Sequence, residues 1–218
     1  GGTLTLATVT TTFATGFTLA ALNITGGTVS LVANVSTAAL ALTIASATIN
    51  GPGTITNVPG QTLVLKSSTI AATSGLSNQG TVVVNGVVNV AGSLTTAAGS
   101  VLRIVPDNTT AQANLIVATG FTKLGAIELT SSISAYAAQL TVTAGTRTNA
   151  AGGTITTLGG TGGPRTLAVE LDNQGTVTLN QPLALSHAGA AHTNSGTIDA
   201  SADWTLTQSG TPASFTNT

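Results

Sequence analysis

The 218-residue chain carries five Lys and Arg against six Asp and Glu, a net charge of −1, and is 42% hydrophobic but only 5% charged and 3% aromatic. So sparse and balanced a charge offers neither the basic footprint that nucleic acid needs nor the polybasic patch that anionic lipid needs, and no run approaches the roughly 18 apolar residues of a membrane helix. The absence of Cys also excludes a disulfide framework and thiolate metal sites.

The chain opens on GGTLTLATVT, without the basic n-region of a signal peptide. Thr3-Leu4-Thr5-Leu6 begins a period-two alternation that returns at Thr28-Val29-Ser30-Leu31, Thr54-Ile55-Thr56, Thr141-Val142-Thr143, Thr154-Ile155-Thr156, Thr176-Val177-Thr178-Leu179 and Thr205-Leu206-Thr207. Such alternation predicts short strands with one apolar face. The most apolar stretch, AALALTIASATI at 38–49, is interrupted by Thr43 and Ser46, and 26 glycines leave little room for helices. Helix content is predicted to be near zero. The sequons at Asn23, Asn34 and Asn108 are what chance supplies in a chain so rich in Asn and Thr.

Repetition organises the chain. LSNQGTVVVN at 76–85 returns as LDNQGTVTLN at 171–180, then as HTNSGTIDA at 192–200, and FTNT ends the sequence. The Gly-Thr marker falls at Gly27, Gly53, Gly80, Gly153, Gly175 and Gly196, giving intervals of 26, 27, 73, 22 and 21 residues by subtraction, the longest close to three units. A period of this length predicts one coil of a solenoid. The expected fold is all-β: a parallel β-helix, or β-solenoid, of right hand with about 21–27 residues per coil, about nine coils and a length on the order of 45 Å. Asn78, Gly80, Asn173, Gly175, Asn194 and Gly196 read as its repeating turn-and-strand signature, with Gly and Asn tolerating positive φ. Val177 and Leu179 should face inward and Thr176 and Thr178 outward. A β-sandwich is the alternative fold, kept open by hairpin-forming Asn-Gly pairs at 50–51 and 85–86.

Residues 1–218 read as one solenoid segment, an excerpt of a longer repetitive chain. Segment 103–147 is its least regular part and holds five of the eleven charged residues, with Phe121 and Tyr136. Lys123, Glu128 and Tyr136 are therefore the candidates for a ligand-binding protrusion.

Other constellations carry less. His187 and His192 with Asp199, Asp203 and Ser186 match no metal-ligand spacing and no nucleophile elbow. Glu170 and Asp172 lie two apart on a strand, hence on one face, with Arg165 near in sequence; a single such pair does not define a glycosidase. The loop LGGTGGPRT at 158–166 resembles a phosphate cradle in composition only, because TLAVEL after it reads as a strand where a helix N-terminus is required. No catalytic residue, cofactor or metal site is expected.

The LxNQGTVxxN, TNSGTIDA and GGTITTL phrases resemble the repeat regions of large secreted bacterial β-solenoid proteins, the class of filamentous-haemagglutinin-like exoproteins and autotransporter passenger adhesins. That resemblance covers most of the chain. It implies a right-handed parallel β-helix, export to the extracellular cell surface, and a non-enzymatic structural or adhesive role as stalk, passenger or fibre component. Expected partners are a second solenoid stacked head to tail, or a glycan, host or abiotic surface, with neither nucleic acid nor membrane insertion. An ice- or carbohydrate-binding module is the second expectation, and it requires Thr-x-Thr pairs in register. A polysaccharide-degrading β-helix enzyme is the third, and the shortage of charge argues against it.

Overall fold

The structure, a computed structural model, describes residues 1–14, 19–133, 135–160 and 162–218. The chain winds into about ten turns of about 21 residues, each turn laying parallel strands on those of the turn before. A 3-10 turn at Thr37–Ala39 is the helical element among the described residues. Every strand pairing described is parallel, as in Thr81↔Val101, Val101↔Ala126, Ala126↔Thr154, Thr154↔Thr176 and Thr176↔Thr197. Parallel partners one turn apart rule out the sandwich. The Asn-Gly pairs make no hairpin: Asn85 and Gly86 lie inside the strand Thr81–Val90, where the chain bends from one face to the next.

Each coil has three strand-bearing faces. On the first, alternation turns Leu22, Leu42, Leu63, Val82, Leu102, Ile127, Ile155 and Val177 into one inward stack, none more than 4% exposed. The next inward stack includes Ile24, Ile44, Leu65, Val84, Ile104, Leu129 and Leu179. Thr176 and Thr178 point outward between them, as the pattern requires. Each Val, Leu or Ile so buried contributes about 1.5–3 kcal/mol, and β-branched residues suit the pleat. The second face stacks Ile49, Ile70, Val90, Val117 and Val142 in the same way.

The repeat marker needs a correction. Gly80, Gly153, Gly175 and Gly196 precede first-face strands, but Gly27 lies within Ala21–Leu31 on the second face and Gly53 precedes Thr54–Asn57 on the third. The early 26- and 27-residue intervals therefore compare different faces. Successive first-face partners there are Ala21, Ala41, Thr62 and Thr81, 20, 21 and 19 residues apart by subtraction. The 73-residue gap does span three coils, stretched by connections 105–112 and 130–137 between the first and second faces.

The corner glycines also serve a different purpose from the one expected. Gly80, Gly175 and Gly196 are not in the left-handed region. A Cβ on Gly175 would stand 2.2 Å from the Gly153 carbonyl oxygen, and one on Gly196 would stand 2.1 Å from that of Gly175. They are glycine because each coil's backbone lies directly on the coil beneath.

Candidate functional site

The third face is built by a short pattern hidden in the front half of the repeated phrases: an inward residue, a hydroxyl residue, then Asn. Ile55-Thr56-Asn57, Leu76-Ser77-Asn78, His192-Thr193-Asn194 and Phe215-Thr216-Asn217 are aligned copies. Alternation buries the first and third residues in the inner coils and turns the second outward, while in the last coil Phe215 is half-buried and Asn217 exposed. Thus Asn78, Asn173 and Asn194, expected as turn residues, end their strands with side chains in the lumen, 0%, 0% and 5% exposed.

There they form a ladder. Asn57 Nδ2 donates to Asn78 Oδ1 at 3.1 Å, Asn149 to Asn173 at 2.7 Å, Asn173 to Asn194 at 2.6 Å and Asn194 to Asn217 at 2.5 Å. The same amide nitrogens reach backbone carbonyls, such as Thr81 O from Asn57 and Val101 O from Asn78. An amide has both donors and acceptors, so identical side chains satisfy one another indefinitely along the stack. The ladder breaks in the middle, where Thr96 pairs with Asn78 and Lys123 takes the slot below Asn149. Lys123 Nζ turns away from Asn149 and donates to Ser100 O and Oγ, both at 2.7 Å.

The outward residues of the same strands form a second column. Ser36, Thr56, Ser77 and Thr95 are in register, and so are Thr122, Thr148, Asp172, Thr193 and Thr216. Thr96 joins the two runs, its hydroxyl donating to Thr122 O and accepting from Leu124 N. All nine residues are exposed or half-buried, and eight are hydroxyl residues. Where Asp172 interrupts, Thr193 Oγ1 donates to its carboxylate at 2.7 Å. By contrast, the first face, where the Thr-x-Thr pairs were legible, runs Val83, Arg103, Glu128, Thr156, Thr178, Asp199 and is interrupted.

The protrusion candidates do not share a surface. Glu128 lies on the first face, where its Oε2 accepts from Arg103 Nε of the coil before at 2.6 Å. Tyr136 is half-buried in the 130–137 connection, its carbonyl accepting from the Ser131 hydroxyl. Lys123 is in the lumen, and burial, then the repulsion of Arg147, pushes its pKa down to about 7.

The histidines separate likewise. His187 is half-buried, whereas His192 is 0% exposed in the lumen, its Nδ1 accepting from Leu171 N–H at 3.1 Å. Burial pushes the His192 pKa down. Glu170 does share the outward third face with Asp172, but it is engaged by Thr146 Oγ1 at 2.5 Å and Ala191 N at 3.2 Å. Those bonds hold its carboxyl below the usual range. Arg165 opens the strand Arg165–Asn173, and its Nη2 gathers the carbonyls of Ser131, Leu158 and Gly160 at 3.1–3.2 Å. It clamps the 158–164 loop beside an open groove lined by Gly160, Gly162, Gly163 and Gln181. No group of three metal-ligating side chains occurs among the described residues.

No known family, curated protein or solved structure matches the chain. What the structure supports of the resemblance to large exoproteins is the repeated parallel coil itself.

Proposed function

We propose that this chain is a non-enzymatic, extracellular structural and adhesive β-solenoid whose third face is its contact surface. The observation that carries the reading is the hydroxyl column, eight Ser and Thr side chains repeating at the coil rise of roughly 4.8 Å. Hydroxyls donate and accept alike, so a row of them meets a hydroxylated polymer with the Asp172 carboxylate, already held by Thr193 and Gln174, as its one charge. A rigid stack holds that row straight, which reduces the ordering cost of binding. The partner of this chemistry is a polysaccharide surface, presented repeatedly rather than as one sugar. The same register favours ordering of water, so an ice-binding face is the second reading.

The test is retention on insoluble glucan and chitin, with ice-shaping microscopy in parallel. Replacing the exposed Thr95, Thr122 and Thr216 together by Lys should abolish retention while leaving the melting temperature within about 2 °C, since exposed substitutions cost little. Retention that survives the triple variant would sink the proposal. Ice shaping without glycan retention would transfer the face to the second reading.

A further inference from the structure

The lumen contains cations and no anion of its own. Lys123 and Arg147 are 0% exposed and Arg165 is 3% exposed, whereas none of the six Asp and Glu side chains is buried. Lys123 and the two terminal nitrogens of Arg165 donate to carbonyl and hydroxyl oxygens, leaving only Nε of Arg165 without a partner. Arg147 differs: its Nε, Nη1 and Nη2 are all buried and meet no acceptor among the described residues.

The neighbours of Arg147 explain why. Register places Phe121 one coil before it and Leu171 one coil after, so the guanidinium sits between apolar groups in a column that also holds Leu76 and Leu94 and, beyond Leu171, the imidazole of His192. Its Cζ lies 5.5 Å from the Phe121 ring centroid, a cation–π contact. A ring face offsets part of the desolvation of a guanidinium but satisfies none of its five N–H donors. Neutralisation does not remove the difficulty either, because burial lowers the Arg147 pKa only to about 9. Lys123 lies close enough to add repulsion. A buried guanidinium with no acceptor requires a counter-charge.

We propose that Arg147 anchors a small inorganic anion, a halide or a planar oxyanion, inside the solenoid. The guanidinium fork binds such ions through paired N–H donors. The strand carrying Arg147 also bulges just before it: Thr141 pairs with Ala168 and Thr146 with Glu170, so four residues stand opposite one. Residues 143–146 are exposed there, and this interruption of the wall is the route by which the ion exchanges.

The experiment uses bromide as the probe. Crystals of the whole chain soaked in sodium bromide and measured at the bromine edge should show an anomalous peak within hydrogen-bonding distance of the Arg147 guanidinium. In solution at pH 6 and constant ionic strength, replacing gluconate by chloride should raise the melting temperature by about 3–6 °C for each tenfold increase above the dissociation constant. Arg147→Met should remove that dependence. A map without a peak at Arg147 overturns the proposal whatever the melting curves show, and so does an Arg147→Met protein that keeps the full chloride dependence. If that variant does not fold, the bromide map of the unaltered chain decides alone.

Discussion

Asn149 Nδ2 donates to Asn173 Oδ1 across 2.7 Å, and Asn173 repeats the contact to Asn194 at 2.6 Å. Each amide is thus both the roof of one coil and the floor of the next. Removing one middle rung breaks both ladder bonds, leaves the buried Asn194 oxygen without its donor and leaves Asn149 Nδ2 only its longer contacts to the Gly153 and Thr176 carbonyls at 3.3 Å. Since a buried polar group left unpaired costs about 1–3 kcal/mol, Asn173→Ala should destabilise by about 2–4 kcal/mol. The check is the urea midpoint, compared with Gln174→Ala at the exposed neighbouring position, where a change within about 0.5 kcal/mol is expected. Equal shifts in the two variants would deny the ladder its role.

Two glycines should respond unequally, for two different reasons. A Cβ on Gly175 meets the Gly153 oxygen at 2.2 Å, which only a backbone shift relieves. Gly175→Ala should therefore cost about 3 kcal/mol, the upper end of overpacking penalties. Gly60 has φ +78 and open space around its Cβ position, so Gly60→Ala should cost only the left-handed penalty of about 1–2 kcal/mol. Chemical denaturation of the pair separates coil-to-coil contact from turn conformation. A Gly60 variant weaker than the Gly175 variant would show that turn conformation dominates.

The strands and their inward faces were legible because period-two alternation is a direct consequence of the pleat. Val177 and Leu179 could be placed in the core from Thr-Val-Thr-Leu alone, and both are buried. The third face was not legible, for two physical reasons. Its strands alternate apolar residues with Thr but end in a buried Asn, and a polar residue beside Gly reads as a turn when its partner is a copy of itself a full coil away. Arg147 and Lys123 were hidden for a related reason. Charged residues are placed outside by default, and only the coil register shows that Arg147 shares a column with Phe121 and Leu171. The phrase LDN at 171–173 carried the signal, since its Leu and Asn are both inward.

His192 should make the solenoid acid-sensitive above the carboxylate range. Its Nδ1 accepts the Leu171 N–H, and burial lowers its pKa from the usual 6.5 against the opposing pull of Glu170. Between the unfolded and folded values the unfolded chain binds more protons, so stability is full above about pH 6.5 and falls as the pH drops below it. The slope approaches but does not exceed about 1.4 kcal/mol per pH unit. Melting temperatures from pH 6.5 to 5, below most of the Lys123 titration, should decline in the wild-type chain and decline less steeply in His192→Leu, which also loses a pH-independent amount for the unpaired Leu171 N–H. A variant with the same pH slope as the wild type would remove His192 as the cause.

Lys123 should act in the alkaline range with the same sign. Burial, reinforced by Arg147, takes its pKa from 10.5 to about 7. From pH 7 to the unfolded value the unfolded chain holds a proton that the folded chain has released, so stability rises with pH across this window and is lost again as the pH falls through 7. Arg147, lowered to about 9, adds a slope of its own only from there upward. The interval from pH 7 to 9 therefore isolates Lys123, with an expected gain of at most about 1.4 kcal/mol per pH unit. Lys123→Met should cancel this rise, at the expense of the two bonds to Ser100. Denaturant unfolding at pH 7, 8 and 9 provides the measurement. A Met variant whose stability climbs as steeply as the wild type would place the titrating group elsewhere.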